Sequence, residues 1–238
     1  MVDGDINISV ATLTGDYVAK TIDQYLLSPE LDTAEVMDGC DLARVYGVAS
    51  VYVNPSHVAS AAEVLGGSGV KVGTAIGFPY GWSKTEIKVY EAEWAMAEGA
   101  EELEVAMSLA RLRAGATDDV RSDIQSVCEV ASGRALVKVV LETAYLNEDQ
   151  AVLGCRMAEA AGASFVCVST GFAPTAATPA DVRLVRRTLS PETRVKAGGG
   201  ADDLDSLLEM LRAGAVRIGT SSTEKILEEF KAREARWE

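Results

Sequence analysis

The sequence predicts a TIM (β/α)8 barrel. Three observations carry that expectation. Eight short runs rich in β-branched residues alternate with longer amphipathic runs, the pattern of parallel strands joined by right-handed helical crossovers. A chain of 238 residues suits one closed barrel. No G-x-G-x-x-G opens the first helix, which counts against the alternative, a doubly wound open sheet. No Pro/Gly/Ser linker or break in composition interrupts the pattern, so residues 1–238 are expected to form a single domain.

Taken in order, the strand runs are TIDQYLL (21–27), ASVYVNP (49–55), KVGTAIGF (71–78), ELEVAM (102–107), LVKVVLE (136–142), SFVCVS (164–169), RVKAG (194–198) and AVRIGT (215–220). They are short, apolar and bounded by polar or glycine-bearing segments, as buried parallel strands are. Apolar residues at helical spacing predict helices over 33–46, 84–98, 118–131, 148–161, 179–188, 204–213 and 223–233. There is room for an additional N-terminal helix before Thr21.

Composition narrows the function classes. Apolar residues make up 48% of the chain, enough for a substantial core. The formal net charge of −14 argues against nucleic acid or an anionic membrane as partner, because both need a basic footprint. No apolar run approaches the roughly 18–20 residues of a membrane span, and MVDGDINISV lacks a secretory signal pattern. A cytoplasmic protein is expected. Cys40, Cys128, Cys155 and Cys167 form no C-x-x-C pair and no zinc spacing. The single histidine, His57, lies in NPSHV after a strand and reads as a loop residue. Neither a metal site nor a histidine-based triad is expected.

In a TIM barrel the chemistry sits at the C-terminal strand ends. The polar residues there are Asp23, Tyr25, Tyr52, Glu104, Lys138, Glu142, Cys167, Ser169, Thr170 and Lys196. Alternation places Lys138, Val140 and Glu142 on one strand face, and Phe165, Cys167 and Ser169 on another. Only eight of the 22 cationic residues are lysine, and two of those eight, Lys138 and Lys196, lie inside apolar strands. A buried lysine must be neutralised or paired. Structural pairing with Glu104 or Glu142 would satisfy both. Alternatively, one ammonium depresses the other's pKa and leaves an amine able to attack a carbonyl, with Glu104 shuttling protons. Three glycine-bearing turns follow the last three strands: STGF (169–172), AGGG (197–200) and IGTSS (218–222). Such turns are the usual TIM-barrel phosphate site.

The motifs GFP (77–79), GAEELEV (99–105), VKVVLET (137–143), FVCVSTGF (165–172), VKAGGG (195–200) and RIGTSS (217–222), in this order and spacing, resemble the deoxyribose-phosphate aldolase family. The resemblance runs from about Ile22 to Ser222. It implies a class I aldolase on a TIM barrel, without metal or cofactor and dimeric. Such an enzyme joins acetaldehyde to a phosphorylated aldehyde through a Schiff base on a strand-six lysine. A strand-seven lysine tunes that amine and a strand-four aspartate relays protons. Carried over by position, the strand-seven lysine is Lys196, the strand-five lysine is Lys138 and the strand-four acid is Glu104.

The Schiff-base position holds Cys167, and a thiol forms no imine. Other departures surround it. Asp23-Gln24-Tyr25 replaces Asp-His-Thr, Tyr52 stands where a small residue is usual, and Ser108 where asparagine is common. Ala201 and Asp202 replace an aliphatic residue and arginine, and a carboxylate there is unfavourable for a phosphate dianion. Backbone donors at Gly171, Gly199, Gly200, Gly219, Ser221 and Ser222 remain candidates for binding substrate, with Asp23, Tyr25, Tyr52, Ser169 and Thr170. Four readings of Cys167 stay open. The amine has moved to Lys196 or Lys138; or the barrel runs another carbonyl or enolisation reaction with Glu104 and Lys196, Cys167 being a thiolate beside Lys196; or the protein is a non-catalytic binding homologue; or Cys167 is a small apolar filler. The expected partner is a small carbonyl compound, phosphorylated or not.

Overall fold

A computed structural model describes residues 13–235. The strands β1 (Ile22–Leu26), β2 (Ser50–Val53), β3 (Lys71–Ile76), β4 (Glu102–Ala106), β5 (Leu136–Val140), β6 (Phe165–Cys167), β7 (Arg194–Gly198) and β8 (Arg217–Thr220) close into one parallel barrel in sequence order. β1 closes the ring against β8, pairing Asp23 with Gly219. The expected TIM barrel is the fold.

Ten helices are described: α1 (Gly15–Ala19), α2 (Thr33–Tyr46), α3 (Val58–Leu65), α4 (Thr85–Ala97), α5 (Leu109–Arg113), α6 (Thr117–Ala131), α7 (Glu148–Ala160), α8 (Pro179–Thr188), α9 (Leu204–Arg212) and α10 (Thr223–Glu234). The short N-terminal helix is α1. Local chemistry fixes several starts. Capping boxes at Asp32/Glu35, Asn147/Gln150 and Thr178/Asp181 satisfy the orphan N–H groups that open α2, α7 and α8. The sequence reading missed α3 and α5. α3 is eight residues of VASAAEVL, and its buried stripe is only Val58, Ala61 and Leu65, so little polar contrast marks its period.

The apolar core lies between sheet and helices. The outward-facing strand residues Ile22, Val51, Val72, Leu103, Val139, Val166, Val195 and Ile218 are buried there against the helical layer. The inward-facing set, reached by period-two alternation, holds the charges: Asp23, Tyr25, Ser50, Tyr52, Glu102, Glu104, Lys138, Cys167, Lys196 and Arg217, with Ala75, Val140 and Phe165 as apolar members. The barrel thus keeps its main apolar core outside the ring and its buried charges inside.

One expected alternation fails. β5 ends at Val140, and Glu142 has φ 56°, in the left-handed region. Glu142 therefore leaves the face of Lys138 and pairs with no lysine. Its Oε2 accepts from the Thr170 backbone N–H at 3.1 Å and from the Thr170 hydroxyl, tying the β5 turn to the β6 turn.

A third lysine is fully buried outside the barrel. On α4, Lys88 Nζ donates to Asp123 Oδ2 of α6 at 2.6 Å and to the Ala106 carbonyl at 2.9 Å. This pair joins two helices to the end of β4. No helix among the described residues is long and apolar enough to cross a membrane.

Candidate active site

Asp23 organises the barrel interior. Its carboxylate accepts from Lys138 Nζ at 2.8 Å, Lys196 Nζ at 2.5 Å, Arg217 Nε at 2.5 Å and Ser50 Oγ at 2.8 Å. Glu102 takes a second contact from Lys138 at 2.8 Å, one from Arg217 at 3.2 Å and the Tyr52 hydroxyl at 3.1 Å. Glu104 pairs with Lys196 and accepts from the Tyr25 hydroxyl at 3.3 Å on each carboxylate oxygen. Three carboxylates thus face three cations, which is how a protein interior tolerates ions at all.

The titration behaviour follows from this arrangement. Burial alone would raise the Asp23 carboxyl, but Lys138, Lys196 and Arg217 together hold it far below the usual carboxylate range. Burial alone would likewise favour a neutral Lys196, yet Asp23 and Glu104 outweigh it and raise its pKa. Lys138 moves the other way. Burial, reinforced by the charge of Lys196, lowers it despite Asp23 and Glu102. The expected depressed amine is therefore Lys138, beneath Tyr52, while Lys196 stays an ammonium.

Aromatic rings fill the remaining interior. The Lys196 ammonium lies 4.0 Å from the centroid of Tyr52 and 4.7 Å from that of Tyr25, and Lys138 lies 4.8 Å from that of Phe165. Tyr25 and Tyr52 meet edge to face at 5.9 Å. Burial first, then neighbouring carboxylates, push both phenols well above 10, so both remain neutral donors. Glycines on adjacent strands make room for them. A Cβ at Gly73 would fall within 2.6–2.8 Å of the Tyr52 ring, and one at Gly219 would overlap Tyr25.

Cys167 stands in register between Val140 and Lys196 and is fully buried. Its thiol donates to the Ser169 carbonyl at 3.1 Å. Burial, and then the charge of Glu104, raise its pKa, while the ammonium beside it is engaged by carboxylates. The thiol is thus held toward its protonated form, with the Lys196 ammonium paired to Asp23 and Glu104.

Above this set, at the C-terminal mouth, a pocket of about 390 Å³ is lined by Tyr25, Gly171, Gly200, Asp202, Gly219 and Ser221 among others. Among the described residues no lysine or arginine lines it. Three of the backbone donors read as anion ligands are already engaged. Gly171 N–H donates to Ser169 Oγ, Gly199 N–H to the Gly219 carbonyl and Ser222 N–H to Thr220 Oγ1. Of the other residues expected to touch substrate, Asp23 and Tyr52 lie sealed in the barrel, Ser169 is buried, and Thr170 is committed to Glu142. Tyr80 and Trp82 pack on each other at 5.0 Å, and Tyr80 packs on Tyr145 at 5.8 Å, rather than lining the pocket. His57, expected in a loop, is half-buried, ends a 3-10 turn over Pro55–His57 that leads into α3, and lies beside Thr33. A larger recess of about 500 Å³, lined by Lys71, Glu101 and Ser164, opens at the opposite end, where barrel conservation serves stability rather than chemistry. Among the described residues no group of three or more His, Cys, Asp or Glu side chains is placed to hold a metal.

Sequence reasoning missed Glu102, Arg217 and Ser50. Glu102 had a usable signal, since it lies two residues before Glu104 on the same strand face.

The barrel and its interior lysines can now be set beside known proteins. The deoxyribose-phosphate aldolase of Geobacillus sp. (strain WCH70) is 46% identical over 211 residues, covering 89% of this chain and 95% of that one. The chain belongs to the deoxyribose-phosphate aldolase family. Its curated relatives are lyases, and this chain is a member of that lyase family. Among solved structures, the aldolase QR15 superposes with a TM-score of 0.88 at 38% identity, covering 93% of this chain and 99% of that one. The tetrameric deoxyribose phosphate aldolase of Aeropyrum pernix superposes with a TM-score of 0.86 at 30% identity, covering 92% and 93%. No family model matches the chain.

Proposed function

We propose that this chain is an aldolase-type lyase that acts on a small enolisable carbonyl compound by acid–base chemistry, without an imine at position 167. The observation that carries this reading is the chain of contacts Lys196–Glu104–Tyr25. Lys196 is held as an ammonium against Glu104, Glu104 accepts from the Tyr25 hydroxyl, and Tyr25 reaches the mouth pocket. As the enolate forms, its oxygen takes a proton from the Tyr25 phenol, which is replaced from Lys196 through Glu104. Groups this weakly acidic protonate a developing enolate oxygen rather than a resting carbonyl, which is the charge that builds up in aldol cleavage and enolisation. The proton leaving carbon (or, in aldol cleavage, the hydroxyl) passes to Asp202, the carboxylate that lines the pocket, and the reverse transfers reset both groups. Asp202, with no lysine or arginine among the described residues lining the pocket, favours an uncharged substrate over a phosphate dianion.

An amine relocated to Lys196 would have to lose a proton that two carboxylates hold, and one at Lys138 would require substrate to pass both tyrosines. A homodimer and a cytoplasmic location accompany the reading by family analogy alone.

The test combines two measurements on one protein. Acetaldehyde and hydroxyacetone are incubated with it in heavy water and exchange of the hydrogens next to the carbonyl is followed by NMR. Parallel samples are treated with borohydride and mapped by peptide mass. Exchange that depends on Glu104 (lost in Glu104→Gln), with no reduced lysine adduct, is expected. An adduct on Lys196 or Lys138 establishes the relocated-amine mechanism instead. Neither exchange nor adduct means a binding protein.

A further inference from the structure

Tyr25 separates two compartments. Below it, Asp23, Glu104, Cys167 and Lys196 are each 0% exposed. Above it lies the pocket of about 390 Å³. Among the residues lining that pocket, Tyr25 alone has a side chain hydrogen-bonded to the buried charges. Its ring is seated from every side. Gly219 leaves the space the ring occupies, a Cβ at Gly171 would touch it at 3.9 Å, Tyr52 meets it edge-on, and Glu104 holds its hydroxyl.

We infer that Tyr25 is a specificity-determining residue: its ring is the floor of the substrate pocket and stops a carbonyl compound above position 167. Two barriers then stand against imine chemistry in this barrel, the missing amine at 167 and the closed floor. The substrate is one that fits wholly in the mouth, a compact uncharged carbonyl compound whose oxygen meets the phenol from above. The inference rests on the acid–base reading for the nature of that substrate, but the floor itself is tested without turnover.

The probe is methyl methanethiosulfonate, which reacts with exposed thiols. It is applied to the wild type, Tyr25→Phe and Tyr25→Thr, with each cysteine followed by peptide mass. Cys128 is half-buried, and Cys40 and Cys155 are buried, so they serve as internal references. Cys167 should stay protected in the wild type and in Tyr25→Phe, which keeps the ring. In Tyr25→Thr its modification should accelerate roughly tenfold or more while Cys40 and Cys155 stay protected. Cys167 reacting as fast as Cys128 in the wild type, or remaining protected in folded Tyr25→Thr, overturns the inference. If Cys40 and Cys155 react as well, Tyr25→Thr has unfolded, and Tyr25→Val gives the same readout without a hydroxyl to bury. A second measurement uses Cys167→Lys with acetaldehyde and borohydride. Residue 167 should be ethylated when Tyr25→Thr is also present and stay unmodified when Tyr25 is intact. Ethylation with Tyr25 intact refutes the floor. Failure here leaves the proton relay standing, and absence of hydrogen exchange leaves the floor standing.

Discussion

Replacing Gly73 with alanine drives a methyl group into the ring of Tyr52. The new Cβ would lie 2.6 Å from Cζ, 2.7 Å from Cε1 and 2.8 Å from Cε2. Ordinary carbon contacts are about 3.5–4.0 Å, so all three are short by roughly 1 Å. The ring cannot withdraw, because Tyr52 is 0% exposed and its hydroxyl is bound to Glu102 at 3.1 Å. Overpacking of this kind costs about 1–3 kcal/mol, and displacing a hydrogen bond to a charged group adds about 1.5–3 kcal/mol. The unfolded chain loses some freedom on Gly→Ala, which offsets about 0.4–1 kcal/mol. The net expectation is a loss of about 2–5 kcal/mol. In a Tyr52→Ala background, itself destabilised by about 3–5 kcal/mol, the obstacle is gone and Gly73→Ala should be neutral or slightly stabilising. Urea unfolding of the four proteins at constant m closes the cycle. A coupling below about 0.5 kcal/mol, with Gly73→Ala costing the same in both backgrounds, would refute the claim that the glycine exists to seat the ring.

Other consequences can be measured the same way. Lys196→Met leaves Asp23 and Glu104 short of a cation and should cost about 3–5 kcal/mol; a loss under 1 kcal/mol would mean that the ion pairs are not formed in solution. Lys88→Met should be similarly damaging by stranding Asp123, and the double variant Lys88→Met/Asp123→Leu should recover part of the loss. The pH dependence has a definite sign. Asp23 and Glu102 are depressed in the folded state, so their stabilisation is complete above the ordinary carboxylate pKa of about 4 and is lost as pH falls through their folded values. Lys196 is raised, so its contribution is complete below the ordinary lysine pKa of about 10.4 and is lost as pH rises through its folded value. The urea midpoint should therefore form a plateau between about pH 5 and 8 and fall above about pH 8.5, where the four thiols, all raised by burial in the folded state, ionise in the unfolded chain first; a steep decline from pH 8 to 6 would contradict these assignments.

The strands and most helices could be read from the sequence because each carries its own signal, a short β-branched run or a periodic apolar stripe. The lysines could be read too, since an ammonium inside an apolar strand demands a partner. Their partners could be read only in part. Glu104 does pair with Lys196, but Glu142, the other carboxylate offered, pairs with neither lysine, because β5 stops at Val140 and the backbone turns at Glu142. The partners of Lys138, Asp23 and Glu102, come from β1 and β4 and depend on the closure of the barrel. Tyr25 and Tyr52 stood out as oversized residues, yet the glycines that admit them lie far away in sequence. Gly73 meets Tyr52 through β2–β3 register, and Gly219 lies one strand across from β1. Which faces are engaged and which are open is a property of register, and local pattern does not carry it.

The three-against-three arrangement of charges inside the barrel also constrains how this chain can change over generations. Asp23 serves Lys138, Lys196 and Arg217 at once. Any one of these groups that mutates strands its neighbours in a dry interior, so drift cannot dismantle the set one residue at a time without passing through chains that fold poorly. Position 167 lies outside that bargain, uncharged and bonded to a single carbonyl. Of the interior sites that matter to this family's chemistry, it is the one a lineage can alter in a single step and still inherit an intact barrel.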